Sequence, residues 1–271
     1  MSTDSRARPL ALITGASAGI GMAFARRLAA DGYDLVIVAR RRARLAELSR
    51  QLESEHGIRV EALSADLTNA ADLHSVEQRL AGDHALAILV NNAGFGGYMP
   101  FVTLPAEQAE ELIRVHVLAL TRLTRAALPG MIARGKGAII NVSSRLGFSG
   151  SLSSPPLPKR AVYAASKAYI NTITEILSDE QKGTGVQVQA LCPGLVSTEF
   201  HTVVGADMSR VPPGSFMSPA DLVQGSLEGL KLGEVICVPA LEERELVGQA
   251  AEARSRLIQN NSGTLASRYK E

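Results

Sequence analysis

Tyr163 and Lys167 stand four positions apart, a spacing that puts both side chains on one face of a helix. A free tyrosine has a pKa of about 10, so it exchanges protons poorly at neutral pH unless a nearby cation stabilises its phenolate. Ser144, which precedes this pair, could hydrogen-bond the same substrate oxygen. Such a pair alone also occurs by chance in many helices. With the serine, it suggests acid-base chemistry at a carbonyl or hydroxyl oxygen.

The segment TGASAGIG, Thr14 to Gly21, follows a short apolar run and opens a helical pattern. Glycines in such a turn let backbone N–H groups approach a phosphate, and the helix N-terminus adds about half a positive charge. Three glycines can also serve a tight turn and close packing, but the strand-turn-helix position favours nucleotide binding. The candidate cofactor-binding residues here are Gly15, Ser17, Ala18, Gly19, Ile20 and Gly21.

Arg40 and Arg41 follow the second apolar run, where a dinucleotide-binding fold would place an acidic residue on the adenosine ribose. An arginine there can instead hold a 2′-phosphate, through hydrogen bonds worth about 1.5–3 kcal/mol each. The alternative interpretation is that both residues simply open a solvated helix, although basic residues are unfavourable at a helix start. The pair therefore favours NADP(H) over NAD(H).

Two polar segments follow the third and fourth apolar runs, at Asp66 and at Asn91-Asn92-Ala93-Gly94. These residue types also suit ordinary turns. Both segments would nevertheless lie at the carboxyl ends of strands next to the first, where the adenine and ribose of a dinucleotide are expected.

Short apolar runs alternate with amphipathic helical patterns along most of the chain, which predicts a mostly parallel sheet covered on both faces. The predicted fold is α/β, a three-layer Rossmann-like doubly wound sheet of about seven strands with helices on both faces. The seven candidate strands are 10–14, 34–39, 58–64, 86–91, 137–142, 186–192 and 234–239.

The chain has neither an internal repeat nor a low-complexity linker, so we expect one domain over residues 1–271. Two irregular stretches interrupt it. Residues 146–160 are rich in Gly, Ser and Pro and are predicted to be neither helix nor inner strand, and 196–218 is a second loop. Both have the length of substrate-binding loops, and a helical tail is expected from about residue 241.

The composition excludes several classes of protein. A formal net charge of +1 lacks the basic excess that nucleic-acid binding demands. A signal peptide and a run of about 20 apolar residues are both missing from the sequence, so the expected protein is cytoplasmic without a membrane partner. Cys192 and Cys237 lie in apolar runs typical of buried thiols, and a metal site is not expected.

Four motifs occur in a fixed order: TGxxxGxG, NNAG, a serine upstream of YxxxK, and CPGLVST at 192–198. Over about residues 9 to 240, this combination resembles the short-chain dehydrogenase/reductase family. The resemblance implies that Tyr163 is the general acid for carbonyl reduction and the general base for alcohol oxidation. Lys167 would lower the tyrosine pKa and hydrogen-bond the nicotinamide ribose, and Ser144 would orient and polarise the substrate oxygen.

The same resemblance implies the remaining cofactor contacts and self-association. The nicotinamide carboxamide would meet Pro193, Gly194, Val196 and Thr198; the adenine would meet Asp66 and Leu67; the ribose edge would meet Asn92, Ala93 and Gly94. A homodimer or homotetramer would form through the helix after NNAG and the helix that carries Tyr163.

One match to the family pattern fails, because His116 stands in the stretch where the family usually has an asparagine that holds a proton-relaying water. A lone histidine in an apolar helix is more often a packed core residue. Alternatively, its imidazole could pass protons itself, since it can both donate and accept. In that case His116→Asn would leave NADPH binding unchanged and alter the pH profile.

Apolar side chains cluster in the segments that follow strands four to six, which favours a hydrophobic ketone or aldehyde as substrate. They are Phe95, Tyr98, Met99, Phe148, Leu152, Phe200, Val203, Val204, Met208, Phe216 and Met217. Two other functions stay open: reduction of a C=N or C=C bond on the same scaffold, and a non-catalytic NADP-binding regulatory module.

Overall fold

The computed structural model describes residues 8–81, 83, 85–154, 157–200, 211–212, 214–260 and 262–270. The chain divides into two compact units, Met1–Pro239 and Ala240–Glu271. The second unit contains one α-helix, Glu245–Gln259, and a short 3-10 helix, Ser267–Tyr269. That a single domain covers residues 1–271 stays a prediction.

The first unit is built on a seven-stranded sheet in which all neighbouring strands pair in parallel. The strand order is β3-β2-β1-β4-β5-β6-β7, so the direction of winding reverses between β1 and β4. In sheets of this kind, ligands bind at that reversal, beyond the carboxyl ends of the strands. The strands are β1 Leu10–Thr14, β2 Asp34–Ala39, β3 Val60–Ser64, β4 Leu86–Asn91, β5 Gly137–Val142, β6 Val186–Leu191 and β7 Ile236–Cys237.

Helices cover both faces of the sheet, as the crossover connections of parallel strands require. They are α1 Gly19–Ala30, α2 Arg42–His56, α3 Ala70–Ala81, α4 Ala106–Ile113, α5 Leu120–Arg134, α6 Ala161–Glu180 and α7 Pro219–Lys231; the helix Glu245–Gln259 of the second unit is α8. A π-helical segment, Arg114–Ala119, joins α4 to α5. The predicted α/β fold is confirmed.

Two hydrophobic clusters, one on each side of the sheet, hold the strands in place. Side chains of β1 alternate between them, with Ile13 in one cluster and Leu12 in the other. The first cluster includes Phe24 of α1, and the second includes Leu123 of α5. Because β1 is packed on both faces, the turns at its carboxyl end start from a rigid platform.

The stretch 146–160 corrects one sequence expectation. Its first residues belong to a 3-10 helix, Arg145–Phe148, because the Ser144 hydroxyl oxygen accepts the Leu146 backbone N–H at 3.1 Å and caps it. Further along, the buried Arg160 guanidinium donates to the backbone oxygens of Ser149, Leu152 and Pro158 at 2.8, 3.0 and 2.9 Å. One side chain thus braces this loop; Pro155 and Pro156 lie outside the described residues.

Candidate active site

Thr14 joins the turns that follow β1 and β4. Its hydroxyl oxygen accepts the backbone N–H groups of Asn92 and Ala93 at 2.9 and 3.0 Å, and its hydroxyl donates to Val90 O at 3.3 Å. In return, Asn92 Nδ2 donates to Thr14 O at 2.9 Å. The TGASAGIG and NNAG segments are therefore one hydrogen-bonded unit at the edge where winding reverses.

Two glycines of the first turn are needed because Asn92 lies against them. A Cβ on Gly15 would lie 2.7 Å from Asn92 Nδ2, and Gly15 has φ +68°, which a side chain would strain. A Cβ on Gly21 would lie 2.5 Å from both Asn92 Nδ2 and Gly15 O. Close packing accounts for these two glycines.

The N-terminus of α1 has neither a side-chain cap nor an acidic residue. Ala18 at the N-cap contributes no side-chain hydrogen bond, and the first turn of the helix contains no acidic residue. Its backbone N–H groups and positive dipole end are therefore suited to an external anion. A Cβ on Gly19 would lie 3.2 Å from Thr198 Cγ2, so the segment after β6 comes directly up to this turn.

Both arginines singled out in the sequence lie at this edge of the sheet. Arg41 Nε donates to Ser17 Oγ of the turn at 3.0 Å, and Arg40 Nη1 lies 3.8 Å from Asp66 Oδ2. Partial burial by itself raises the pKa of Asp66, but hydrogen bonds from Thr68 and the charge of Arg40 lower it overall. The edge therefore carries exposed guanidinium groups beside the TGASAGIG turn.

Ser144 and Tyr163 come together at the end of β5, and Lys167 lies one turn along α6 from the tyrosine. All three side chains are buried. Because the Ser144 oxygen already accepts the Leu146 N–H, its own proton is free to be donated. Ser144 and Tyr98 are the two side chains whose interactions with the Tyr163 phenol lower its pKa.

The protonation states of this group follow from its burial. Burial raises the pKa of Tyr163, and the hydrogen bonds from Tyr98 and Ser144 partly oppose it, so the neutral phenol is the form present at neutral pH. Burial lowers the pKa of Lys167 to about 8. The ammonium donates to Val142 O at 2.9 Å and lies 5.6 Å from the centroid of the Tyr163 ring. That Lys167 lowers the tyrosine pKa stays a prediction.

The sequence predicts Tyr98 only as part of an apolar mouth, but in the structure its ring contacts the Tyr163 ring. Its ring packs edge-on against Tyr163 with centroids 5.1 Å apart, and the Phe200 ring lies 6.3 Å from both. Burial, the Tyr163 charge and the hydrogen bond to Tyr163 all raise the pKa of Tyr98, so its hydroxyl keeps its proton and donates it to Tyr163. A single sequence gives no signal for this contact.

The other expected mouth residues are distributed differently. Phe95 faces the His116 ring, with centroids 6.1 Å apart, and Phe148 and Leu152 are exposed. The segment after β6 is held by Pro193, whose carbonyl accepts the Arg145 N–H at 3.0 Å, and by Val196, which bridges to Met217. Val203, Val204 and Met208 lie outside the described residues.

His116 is buried in the π-helical segment, with both ring nitrogens engaged. Nε2 accepts the Phe95 backbone N–H at 3.3 Å, which puts the ring proton on Nδ1, and Nδ1 lies 2.9 Å from Ser166 Oγ. Ser166 in turn donates to Tyr163 O at 2.8 Å. Burial, then the charge of Lys167, lowers the His116 pKa far below its usual value. The geometry supports a neutral His116 imidazole that is packed in the core and connects the Phe95 backbone to Ser166. The proton-relay role of His116 stays a prediction.

His116 also accounts for the glycine at position 94, because a Cβ there would lie 2.5 Å from His116 Nε2. We expect Gly94→Ala to lower the free energy of unfolding by about 1–3 kcal/mol through overpacking. The cost should fall in the His116→Asn background, where the shorter side chain makes room. Urea unfolding of the two single variants and the double variant measures this coupling.

Gly150→Ala is the matched control, since nothing lies within 4 Å of a Cβ there. An equal cost of Gly94→Ala in both backgrounds would show that His116 does not fix the size of residue 94.

Within the described residues, we find neither a group of three His, Cys, Asp or Glu side chains able to hold a metal ion nor a helix long and apolar enough to cross a membrane. The two free cysteines, Cys192 and Cys237, are buried.

A family model described as short chain dehydrogenase matches residues 9–209. Among curated proteins, the chain is 30% identical over 214 residues to a very-long-chain 3-oxoacyl-CoA reductase of Bos taurus, covering 78% of this chain and 66% of that protein. A protein of the same description from Pyrenophora tritici-repentis is 36% identical over 199 residues, covering 71% of this chain and 56% of its own length. The chain thus spans about two thirds or less of these relatives.

Two solved structures match this chain over nearly the whole length of both proteins. A short-chain dehydrogenase from Sphingobium yanoikuyae in complex with NADPH has a TM-score of 0.89 and 38% identity, covering 96% of this chain and 99% of that chain. The bulky-bulky ketone specific alcohol dehydrogenase from Comamonas testosteroni has a TM-score of 0.85 and 33% identity, covering 96% and 98%.

Proposed function

The chain belongs to the short-chain dehydrogenase/reductase family of oxidoreductases, and we propose that it is an NADP(H)-dependent enzyme interconverting a carbonyl and a secondary alcohol on an apolar substrate. The observation that carries this proposal is the burial of Ser144, Tyr163 and Lys167 together, with Ser144 acting on the Tyr163 phenol and Lys167 one helical turn along α6. The same compact unit contains the N-terminus of α1, which has no side-chain cap and would accept the cofactor diphosphate.

When bound, the nicotinamide supplies a hydride to the carbonyl carbon or accepts one from the alcohol. In reduction, the neutral Tyr163 phenol donates its proton to the substrate oxygen, and the Ser144 hydroxyl hydrogen-bonds the same oxygen. Burial keeps Tyr163 protonated at neutral pH, which suits a proton donor. Lys167, charged below a pH of about 8, stabilises the phenolate left behind.

NADP(H) is the proposed cofactor because Arg40 and Arg41 are exposed cations beside Ser17 and Asp66. A 2′-phosphate would gain charge-assisted hydrogen bonds from them, whereas the ribose hydroxyl of NAD(H) would not. The similarity to a dehydrogenase in complex with NADPH supports the same choice.

The proposed substrate is a bulky apolar ketone. The Tyr98 and Phe200 rings lie 5.1 and 6.3 Å from the Tyr163 ring, so a carbonyl that reaches this phenol meets aromatic side chains. A bulky-bulky ketone specific neighbour is consistent with this choice. The curated relatives are reductases of very-long-chain 3-oxoacyl-CoA, so a β-keto thioester is a second candidate substrate.

Steady-state oxidation of NADPH and NADH against a matched panel tests this proposal. The panel contains diaryl and long-chain ketones, a 3-oxoacyl thioester and small polar ketones of sugars or hydroxy acids. We expect NADPH-selective turnover of the bulky apolar members. A preference for NADH, or for the small polar ketones, would contradict it.

Self-association belongs to the proposal as well. An apolar groove runs along α4, the π-helical segment and α6, lined by Phe101, Leu104, Ile113, Leu118 and Tyr169. Phe101, Ile113 and Leu118 are exposed there, which suits a second copy of the chain in a homodimer or homotetramer. Cytoplasmic localisation stays a prediction.

Removing the Tyr98 hydroxyl is expected to shift the pH dependence of alcohol oxidation upward. That hydroxyl donates to Tyr163 and lowers the pKa of its phenol, so Tyr98→Phe makes the phenolate base harder to form. A hydrogen bond to a charged group is worth enough to slow oxidation about tenfold at neutral pH. Profiles of kcat/KM for oxidation in the parent and Tyr98→Phe enzymes measure the shift. An unshifted profile would show that Tyr98 only packs.

A further inference from the structure

A carboxylate from the segment after β6 lies against two arginines at the start of α2. Glu199 Oε1 and Oε2 each lie 2.9 Å from Arg44 Nη1, and Oε2 lies 3.2 Å from Arg41 Nη1. The partners are 155 and 158 positions apart, so the tertiary fold brings them together. The hydrogen bonds from Arg44 and Arg41 lower the pKa of Glu199, which is therefore ionised at neutral pH.

Arg41 connects this carboxylate to the cofactor turn. Its Nε donates to Ser17 Oγ at 3.0 Å while its Nη1 is directed to Glu199. The guanidinium proposed to hold the 2′-phosphate thus already has an acidic partner. A phosphate monoester carries about two negative charges and three acceptor oxygens, so it would accept hydrogen bonds from the same guanidinium N–H groups as Glu199.

We propose that Glu199 is a specificity-determining residue, which competes with the 2′-phosphate of NADPH for Arg41 and Arg44. The inference rests on the proposed NADP(H) preference. NADPH must displace the Glu199 carboxylate from its arginines, whereas NADH carries no 2′-phosphate and leaves the pairs in place. Glu199 therefore lowers the affinity for NADPH and leaves the affinity for NADH unchanged. The preference of the enzyme for NADPH over NADH is smaller as a result.

A purely structural explanation of the ion pairs is that Glu199 offsets cationic charge at a helix start. Arg41, Arg42 and Arg44 lie where the α2 dipole is positive, and α2 has no acidic residue in its first turn. On that explanation, removing the carboxylate would cost stability and leave cofactor affinities unchanged. Measured affinities separate the two explanations.

The test measures NADPH and NADH dissociation constants by titration calorimetry for the parent and for Glu199→Gln. Gln keeps the size of the side chain and removes the competing charge. Since exposed ion pairs contribute modestly, we expect NADPH to bind about three- to tenfold more tightly and NADH to be unaffected. In the Arg41→Ala background, the gain should shrink because the contested guanidinium is gone.

Glu228→Gln provides the matched control, because Glu228 is an exposed carboxylate paired with Lys231 on α7 and the charge change is the same. We expect it to leave both dissociation constants unchanged. Unchanged NADPH binding in Glu199→Gln would overturn the inference. Weaker binding of both cofactors would overturn it too, by showing that Glu199 closes over the bound dinucleotide.

The two variants distinguish a failure of the proposed NADP(H) preference from a failure of the proposed competition by Glu199. If Arg41→Ala alone leaves NADPH affinity intact, the proposed 2′-phosphate site is wrong. If Arg41→Ala weakens NADPH binding while Glu199→Gln does not tighten it, the site stands and only the competition by Glu199 is refuted.

Discussion

Replacing Tyr163 with Phe is expected to lower kcat for ketone reduction by about a thousandfold while leaving NADPH affinity nearly unchanged. General acid catalysis contributes about 10²–10⁴ in rate, and the substitution removes the one proton donor of the proposed mechanism. The Phe ring keeps the packing against Tyr98 and Phe200. Single-turnover oxidation of NADPH with saturating ketone measures the loss, and calorimetric titration measures the affinity.

Tyr33→Phe is the matched control for this substitution, since Tyr33 lies in the turn after α1 and loses the same hydroxyl. It should keep the parent rate. Retention of more than about a tenth of the parent kcat in Tyr163→Phe would mean that another group supplies the proton, and the assignment of Tyr163 would be wrong.

Removing the Arg41 guanidinium is expected to weaken NADPH binding by about ten- to a hundredfold and to leave NADH binding unchanged. Each charge-assisted hydrogen bond to a phosphate is worth about 1.5–3 kcal/mol, and only NADPH carries the 2′-phosphate. Arg41→Ala should therefore lower the ratio of the NADPH and NADH affinities by that factor. Competitive titrations with both cofactors at one ionic strength measure it.

Arg50→Ala removes the same charge from α2, where Arg50 pairs with Glu47, and serves as the control for net charge. An equal loss of NADPH affinity in both variants would indicate a general field effect and contradict a specific phosphate site at Arg41. A loss shared equally by NADH would assign Arg41 to the diphosphate or to the fold.

Local patterns were sufficient for the architecture. The runs LALIT and DLVIVA coincide with β1 and β2, because continuous apolar residues are what a parallel strand buried on both faces requires. Predictions were poorer at the last strand, which shortens from 234–239 to Ile236–Cys237. Strand length there depends on how many residues pair with β6, which is a tertiary property.

Motif order predicts which residues form the candidate reactive group, but not which side chains surround them. Tyr98 and Glu199 meet Tyr163 and Arg41 only through the tertiary fold, so neither spacing nor composition signals them. Thr14 belonged to a recognised motif, yet its bonds to Asn92 span 78 positions. The sequence leaves His116 open as either a packed core residue or a proton relay. The choice depends on the ring tautomer and on its hydrogen-bond partners, which only the tertiary structure gives.

The most direct test of hydride transfer to a carbonyl uses NADPH carrying deuterium at the transferred position of the nicotinamide, with a bulky apolar α,β-unsaturated ketone as substrate. We predict that mass spectrometry and NMR find one deuterium on the carbinol carbon of an allylic alcohol, with an unlabelled alkene. Deuterium on the β-carbon of a saturated ketone would contradict carbonyl reduction and assign the site to C=C bonds. Unchanged enone in the presence of bound NADPH would contradict turnover of this substrate class.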